Sequence, residues 1–153
     1  MTGKEEVMGF FKAKNLFQDF IETRDSTVSS AEAARVIGCE VGEIAKSIVF
    51  DCEGNAVLVI LEGDKKVDVE KLEEFLGKTV KKADAGFIDE KTGFEPGGVA
   101  PVRNDGLYKI IIDGEVFDHE SVWVSAGTKN AVIKIKTEGF AEALSAEITL
   151  ISC

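Results

Sequence analysis

Nine residues, Gly93-Phe94-Glu95-Pro96-Gly97-Gly98-Val99-Ala100-Pro101, hold both prolines of the chain and three of its fifteen glycines. Glycine admits positive φ and lets another molecule approach the backbone closely. Flanking prolines stiffen what glycine leaves loose. The expected product is a rigid, side-chain-poor loop with bare peptide N–H groups around Gly97, Gly98 and Val99. Such groups can grip a carbonyl or a phosphate oxygen. The same composition also makes an ordinary helix-to-strand connection, so the loop alone leaves both readings open.

The second candidate is Lys46, set in the apolar segment Ile44-Ala45-Lys46-Ser47-Ile48-Val49-Phe50. Burying an ammonium is costly without a partner. Lys46 either snorkels to water from a helix-to-strand corner or is held as a functional cation; base chemistry would require a strongly lowered pKa. Two further apolar runs end in polar residues, Ile110-Ile111-Ile112-Asp113 and Val122-Trp123-Val124-Ser125-Ala126-Gly127. Asp113 before Gly114 reads by itself as a turn aspartate, and Trp123 as strand core. Ser125 has no base spaced to activate it, and the single histidine, His119, lies in a polar Asp-His-Glu turn. One histidine and three scattered cysteines, Cys39, Cys52 and Cys153, offer no zinc cluster. An odd cysteine count without C-x-x-C spacing fits a reducing cytoplasm. Phosphate-binding glycine motifs are missing, so no cofactor is expected.

Taken in order, the Ala-Lys-Ser segment, the Gly-Gly-Val-x-Pro loop, the Ile-Ile-Asp strand end and the Val-Ser-Ala-Gly strand end span about 85 residues. This ordered set resembles the YbaK/prolyl-tRNA synthetase-associated editing domain family. The likeness runs from about Thr27 to Ile151 and takes in Ser29-Ser30-Ala31-Glu32-Ala33-Ala34 and the closing Ala146-Glu147-Ile148. The resemblance implies catalytic roles for Lys46, Gly97 and Gly98. It implies substrate binding by Val99, Pro101, Asp113, Ser125 and Gly127, with Asp113 beside the pocket, on the aminoacyl amine or a water. The implied activity is trans-editing: hydrolysis of the ester of a mischarged aminoacyl-tRNA, Cys-tRNA-Pro or another small amino acid on tRNA-Pro. Prolyl-tRNA synthetase is the implied protein partner. Two departures matter. Ala100 stands where many relatives carry a hydroxyl before the second proline, and Val102-Arg103 follows that proline instead of Phe-Gly. The stretch Ala126-Gly127-Thr128-Lys129-Asn130 lacks the histidine of the alanine-clearing relatives, which weighs against alanine as the acyl group. The rival reading is a non-catalytic module that binds an aminoacyl-tRNA end or a synthetase; turnover separates the two.

At 153 residues one domain, 1–153, is expected, and 44% hydrophobic with 30% charged content is ordinary for a globular protein. No run approaches the ~20 apolar residues of a membrane span, and no secretory signal is visible at the N-terminus. A net charge of −10 argues against a free-standing binder of nucleic acid, DNA or RNA, and is the strongest sequence feature against the tRNA reading. RNA contacts would need a synthetase partner or a local basic face; the clusters are Lys65 and Lys66, Lys78 with Lys81 and Lys82, and Lys129 with Lys134 and Lys136.

The elements that must position these residues follow from periodicity and caps. An amphipathic helix is expected over Lys4 to Phe20, then a short extended piece to Thr23. Ser29 with Glu32 forms a capping box for a helix to Ile37, stopped by Gly38. One helical turn at Val41 to Ala45 precedes a strand over Lys46 to Asp51, a turn at Glu53-Gly54-Asn55 and a return strand over Ala56 to Leu61. Asp68 caps a helix that Gly77 stops, and a further helix covers Lys82 to Lys91. Strands follow at Leu107 to Ile112, Val122 to Ser125 and Ala131 to Lys136, the last alternating with a period of two. Thr137 caps a short helix to Leu144, and Glu147 to Ile151 closes the chain as a strand. The fold class is α+β: a mixed, curled, partly closed barrel-like sheet of six or seven strands, which the family resemblance also implies.

Overall fold

The aromatic residues at positions 16 to 21 fit a helical and an extended period equally well, and tertiary pairing decides between them. In the computed structural model, which describes residues 3–24 and 29–153, α1 covers Lys4–Ala13 only. Asn15 takes a left-handed φ of 60° and ends the helical path. Phe17–Glu22 becomes strand β1, antiparallel to Ala131–Ile135. The expected long first helix is therefore corrected. Met1, Thr2 and residues 25–28, among them Thr27 at the start of the family likeness, lie outside the described residues.

The remaining elements are α2 (Ser30–Ile37), β2 (Ala45–Cys52), β3 (Asn55–Glu62), α3 (Val69–Leu76), β4 (Lys81–Lys82), α4 (Ala85–Thr92), β5 (Leu107–Asp113), β6 (Ser121–Ser125), β7 (Ala131–Lys136), α5 (Phe140–Leu144) and β8 (Glu147–Thr149). Side-chain oxygens of Ser29, Asp68 and Asp84 accept from the backbone N–H three residues on, which opens α2, α3 and α4. The two-residue turn joining β2 to β3 holds positive φ at both Glu53 (52°) and Gly54 (94°), the geometry that matches strand twist. Two boundaries differ from expectation because of non-local pairing. Lys81–Lys82 joins β2 as a short edge strand, so α4 opens at Ala85. The Thr137 hydroxyl donates to the His119 carbonyl at 2.5 Å instead of capping α5, which starts after Gly139.

The strands form two sheets. One is antiparallel with order β1-β7-β6; the other is mixed with order β4-β2-β3-β5-β8. The class is α+β, but among the described residues hydrogen bonding does not close a barrel. Among the described residues one parallel bridge, between Ile44 and Trp123, hydrogen-bonds the edges of the two sheets together. The main core lies between them and includes Val49, Leu58, Ile60, Ile110, Ile112, Val124, Ile133 and Ile135, with Phe11 and Phe140 from the helices. The outer face of the five-stranded sheet carries Phe50, Val59, Leu61 and Ile111 under Leu72 of α3. Burial on both faces explains why β3 is a continuous apolar run. Ala33 and Ala34 of α2 cover Trp123 and Val132 on the other sheet, together with Ile44 just before β2. Among the described residues no helix is long and apolar enough to cross a membrane.

Candidate active site

The Ile44–Trp123 bridge sets the start of β2 beside the end of β6, and a small pocket opens at that junction. Its volume is about 80 Å³. Lys46, Gly97, Val99 and Ser125 line it, so four of the eight residues singled out from the sequence come together there. Its remaining walls are Ser30 and Ala33 of α2, Ile44, Ala45, Ser47, Trp123, Val124 and Val132. Trp123, assigned to core on the sequence, is 7% exposed and serves both the core and the pocket wall. The α2 wall had no local signal, because only the tertiary fold brings that helix over the strand ends. The small residues Ser30 and Ala33 are what leave room beneath it.

Lys46 is half-buried, and its Nζ donates to the Gly63 carbonyl at 3.3 Å. Burial pushes its pKa below the ordinary lysine value; Asp64 opposes that shift, while Lys82 and Lys66 add to it. Gly63 can offer its carbonyl because it has no side chain: a Cβ would stand 2.6 Å from the Ser30 Cβ and 2.8 Å from the Val41 carbonyl oxygen. The hydroxyl of Ser47, also in the wall, is buried and has no hydrogen-bond partner among the described residues.

The glycine–proline loop is built as a turn. The Gly98 N–H donates to the Glu95 carbonyl at 2.9 Å, Pro96 holds the second position and Gly97 has φ 83° at the third. This is the arrangement of a type II turn, which requires positive φ at its third residue. The Gly98 amide is thereby committed to the loop and is unavailable as an oxyanion donor. The Gly97 and Val99 amides have no acceptor among the described residues, and both residues line the pocket. Gly98 instead allows close packing: a Cβ there would lie 3.2 Å from the Thr128 carbonyl carbon. Gly127 plays a similar part beneath the loop, since a Cβ would lie 2.9 Å from the Phe94 ring. Its N–H donates to the Ser125 Oγ at 3.1 Å, which orients that hydroxyl. Pro101 is buried and stands outside the pocket wall.

Asp113 is fully buried and also stands outside the wall. Its Oδ1 accepts from the Ile151 and Ser152 amides at 2.8 and 3.1 Å; its Oδ2 accepts from the Glu115 amide at 3.2 Å and the Ser152 hydroxyl at 3.1 Å. All four contacts are internal, so Asp113 anchors the C-terminal segment to β5, and the expected contact with an aminoacyl amine has no geometric basis here. The same anchoring explains why β8 stops at Thr149 instead of reaching Ile151. His119 is spent in a pair with Glu62, Nε2 to Oε2 2.7 Å.

Gly98→Ala is expected to lower turnover about tenfold while shifting Tm by only a few degrees. The Thr128 backbone has to yield by a few tenths of an ångström, and the Gly97 and Val99 amides move with it; a 1 Å misplacement costs about 100-fold in rate. Initial rates and melting curves of the same preparation check this, and equal proportional losses would make the loop purely structural.

Residues 25–143 match the family of the aminoacyl-tRNA editing domain. The chain is similar to the uncharacterized protein YwhH of Bacillus subtilis (strain 168), 28% identical over 139 residues, 90% of this chain and 88% of that one. It is 39% identical over 95 residues to a proline--tRNA ligase of Lactobacillus helveticus, a match covering 61% of this chain and 17% of the ligase. Among solved structures it is similar to the hypothetical protein APE2540, with TM-score 0.88 and 27% identity over 99% of this chain and 100% of that one. A proposed trans-editing enzyme for prolyl tRNA synthetase gives TM-score 0.87 and 27% identity over 98% of this chain and 96% of that one. The gathering of Lys46, Gly97, Val99 and Ser125 around one pocket and the match over residues 25–143 agree: this chain belongs to the aminoacyl-tRNA editing domain family.

Proposed function

We propose that this protein is an aminoacyl-tRNA deacylase that acts in trans, hydrolysing the ester between a small wrong amino acid and the terminal ribose of tRNA-Pro. Cysteine is the first acyl group to test. The observation that carries the reading is the half-buried Lys46 at the edge of a pocket of about 80 Å³ that also holds the uncommitted amides of Gly97 and Val99. The pocket is small, and its walls mix Ala33, Val124 and Val132 with the hydroxyl-bearing Ser30, Ser47 and Ser125, which suits a short side chain with a polar atom.

In this scheme the acyl group enters the pocket and its carbonyl oxygen faces the Gly97 and Val99 amides. The water oxygen attacks the carbonyl carbon. The carbonyl oxygen takes up negative charge and is held by those donors, a contribution of roughly 3–4 kcal/mol per well-placed donor. The bond from carbonyl carbon to ribose oxygen breaks, and the proton lost by water ends on that ribose oxygen. Lys46 acts as the cation that holds the ester end of the substrate. A strong base is unnecessary for an activated ester when water is positioned. Alanine is disfavoured as the acyl group by the absence of a histidine between Gly127 and Asn130.

The cationic role has a pH signature. Folding lowers the Lys46 pKa, so the site loses its charge at a lower pH than a free lysine does. Enzymatic kcat/KM, after subtraction of spontaneous hydrolysis, is expected to fall as pH rises toward the ordinary lysine value. A rate that climbs through the same range would make Lys46 a base. The linked effect on stability has the opposite sign: a lowered folded-state pKa means that stability contributed at this residue increases as pH rises toward the unfolded value. Release of free amino acid from charged tRNA distinguishes this function from a module that binds the ester and protects it.

A further inference from the structure

A second groove begins where the acyl pocket ends. Lys46 lines both. The groove has a volume of about 460 Å³, and its charged lining is Lys46, Lys66, Lys81 and Lys82 with no carboxylate. Its floor is apolar, formed by Ile48, Phe50, Val67, Val69 and Val80. Lys81 lies 4.0 Å from Asp51 and is 80% exposed, too loose a pair to neutralise it. Among the described residues neither Lys66 nor Lys82 has a carboxylate within 4 Å. Four lysines are thus gathered in one groove on a chain of net charge −10. Charges are screened beyond roughly 8–10 Å at physiological salt. Within that range Asp64 acts on Lys46, Glu70 follows Val69 on α3 and the Glu73 Oε2 accepts from the Val80 amide at 2.9 Å, but none of these carboxylates lines the groove, whose charged walls are lysine alone.

Resting on the deacylase reading, we infer that this groove is the track for the single-stranded 3′ end of the tRNA. An acyl group seated in the pocket drags a polynucleotide behind it, and the terminal ribose must pass Lys46, the residue the two cavities share. The chain then continues along Lys82, Lys81 and Lys66, with phosphates on the ammonium groups and sugar or base faces on the valine and isoleucine floor. The charge pattern favours this occupant: a polyanion with apolar faces matches a cationic rim over an apolar floor. The edge strand β4 exists to present two of these lysines, since Lys81 and Lys82 pair with Asp51 and Phe50 of β2 and stand beside Lys46.

The test uses the triple variant Lys66→Ala/Lys81→Ala/Lys82→Ala, which leaves Lys46 intact, and the control Lys134→Ala/Lys136→Ala on β7. Labelled single-stranded RNA 5′-ACCA-3′ is titrated at several salt concentrations. Each lost phosphate contact lowers the salt slope by about 0.7, so the triple variant should lose about 2 units of slope and bind about 100-fold more weakly at 0.1 M salt. The control should match wild type. In parallel, the variant should lose kcat/KM on cysteinyl-tRNA-Pro but retain it on cysteinyl-adenosine, which carries the ester and no phosphate. Wild-type RNA binding and a wild-type salt slope in the triple variant would overturn the inference, as would equal losses on both esters. If wild type releases no amino acid from either ester, the deacylase reading fails separately, and the RNA titration still decides the groove.

Discussion

Lys46→Ala should abolish most deacylation, by about 100-fold or more, and leave the melting temperature close to that of wild type. The two halves of this expectation have different causes. Among the described residues Lys46 is the one cation in the pocket wall, and losing a single well-placed charge-stabilising donor in such sites costs about 10²–10³ in rate. Its contribution to folding is small because its terms oppose each other. The bond to the Gly63 carbonyl is long at 3.3 Å, while burial penalises the ammonium. Alanine removes the penalty along with the bond and fits an extended strand whose neighbour Ala45 is already buried. The net change should stay within about 1 kcal/mol. A variant that melts with wild type and turns over with wild type would reduce Lys46 to a snorkelling surface residue.

Gly106→Ala should do the reverse, removing stability first and activity with it. A Cβ at Gly106 would sit 1.8 Å from the Lys91 carbonyl oxygen and 2.8 Å from its carbon. Both are backbone atoms, so no rotamer change relieves the collision. The last turn of α4 and the entry to β5 must separate, and the glycine–proline loop lies on the connection between them. Overpacking of this severity costs about 3 kcal/mol, or about 10 °C in Tm for a domain of this size. Thermal melts and initial rates should fall together. An unchanged Tm would show that the 91 to 106 contact can open at little cost.

The sequence was most informative where structure is local. Ser29 and Asp68 have side chains that bond three residues ahead, and Gly38, Gly77 and Gly93 accept positive φ, so the helix ends they mark were legible or nearly so, whereas the Asp84 cap went unread. The glycine–proline loop and the Ala-Lys-Ser segment each left a structural reading open by themselves, and it was their order along the chain with the two strand ends that pointed to a site. What failed was non-local. Phe17 to Glu22 had to find β7 before it could be a strand, and two lysines at 81 and 82 carry no strand propensity of their own. Asp113 looked like a pocket residue because it ends an apolar strand; the tail from Ile151 to Ser152 claims it from 38 residues away. Gly98 was read as a donor, yet a type II turn commits its amide and leaves the adjacent Gly97 and Val99 amides for a ligand. The α2 wall and the Ile44–Trp123 bridge between the sheets exist only in the folded molecule.

Release of labelled amino acid from a panel of aminoacyl-tRNAs tests the central claim most directly. Wild-type protein should liberate cysteine, or another small amino acid, from tRNA-Pro far faster than the spontaneous rate, leave Pro-tRNA-Pro intact, and lose that activity in Lys46→Ala. Protection of every ester on the panel, with slower release than in buffer, would contradict it and identify the protein as a binding module instead.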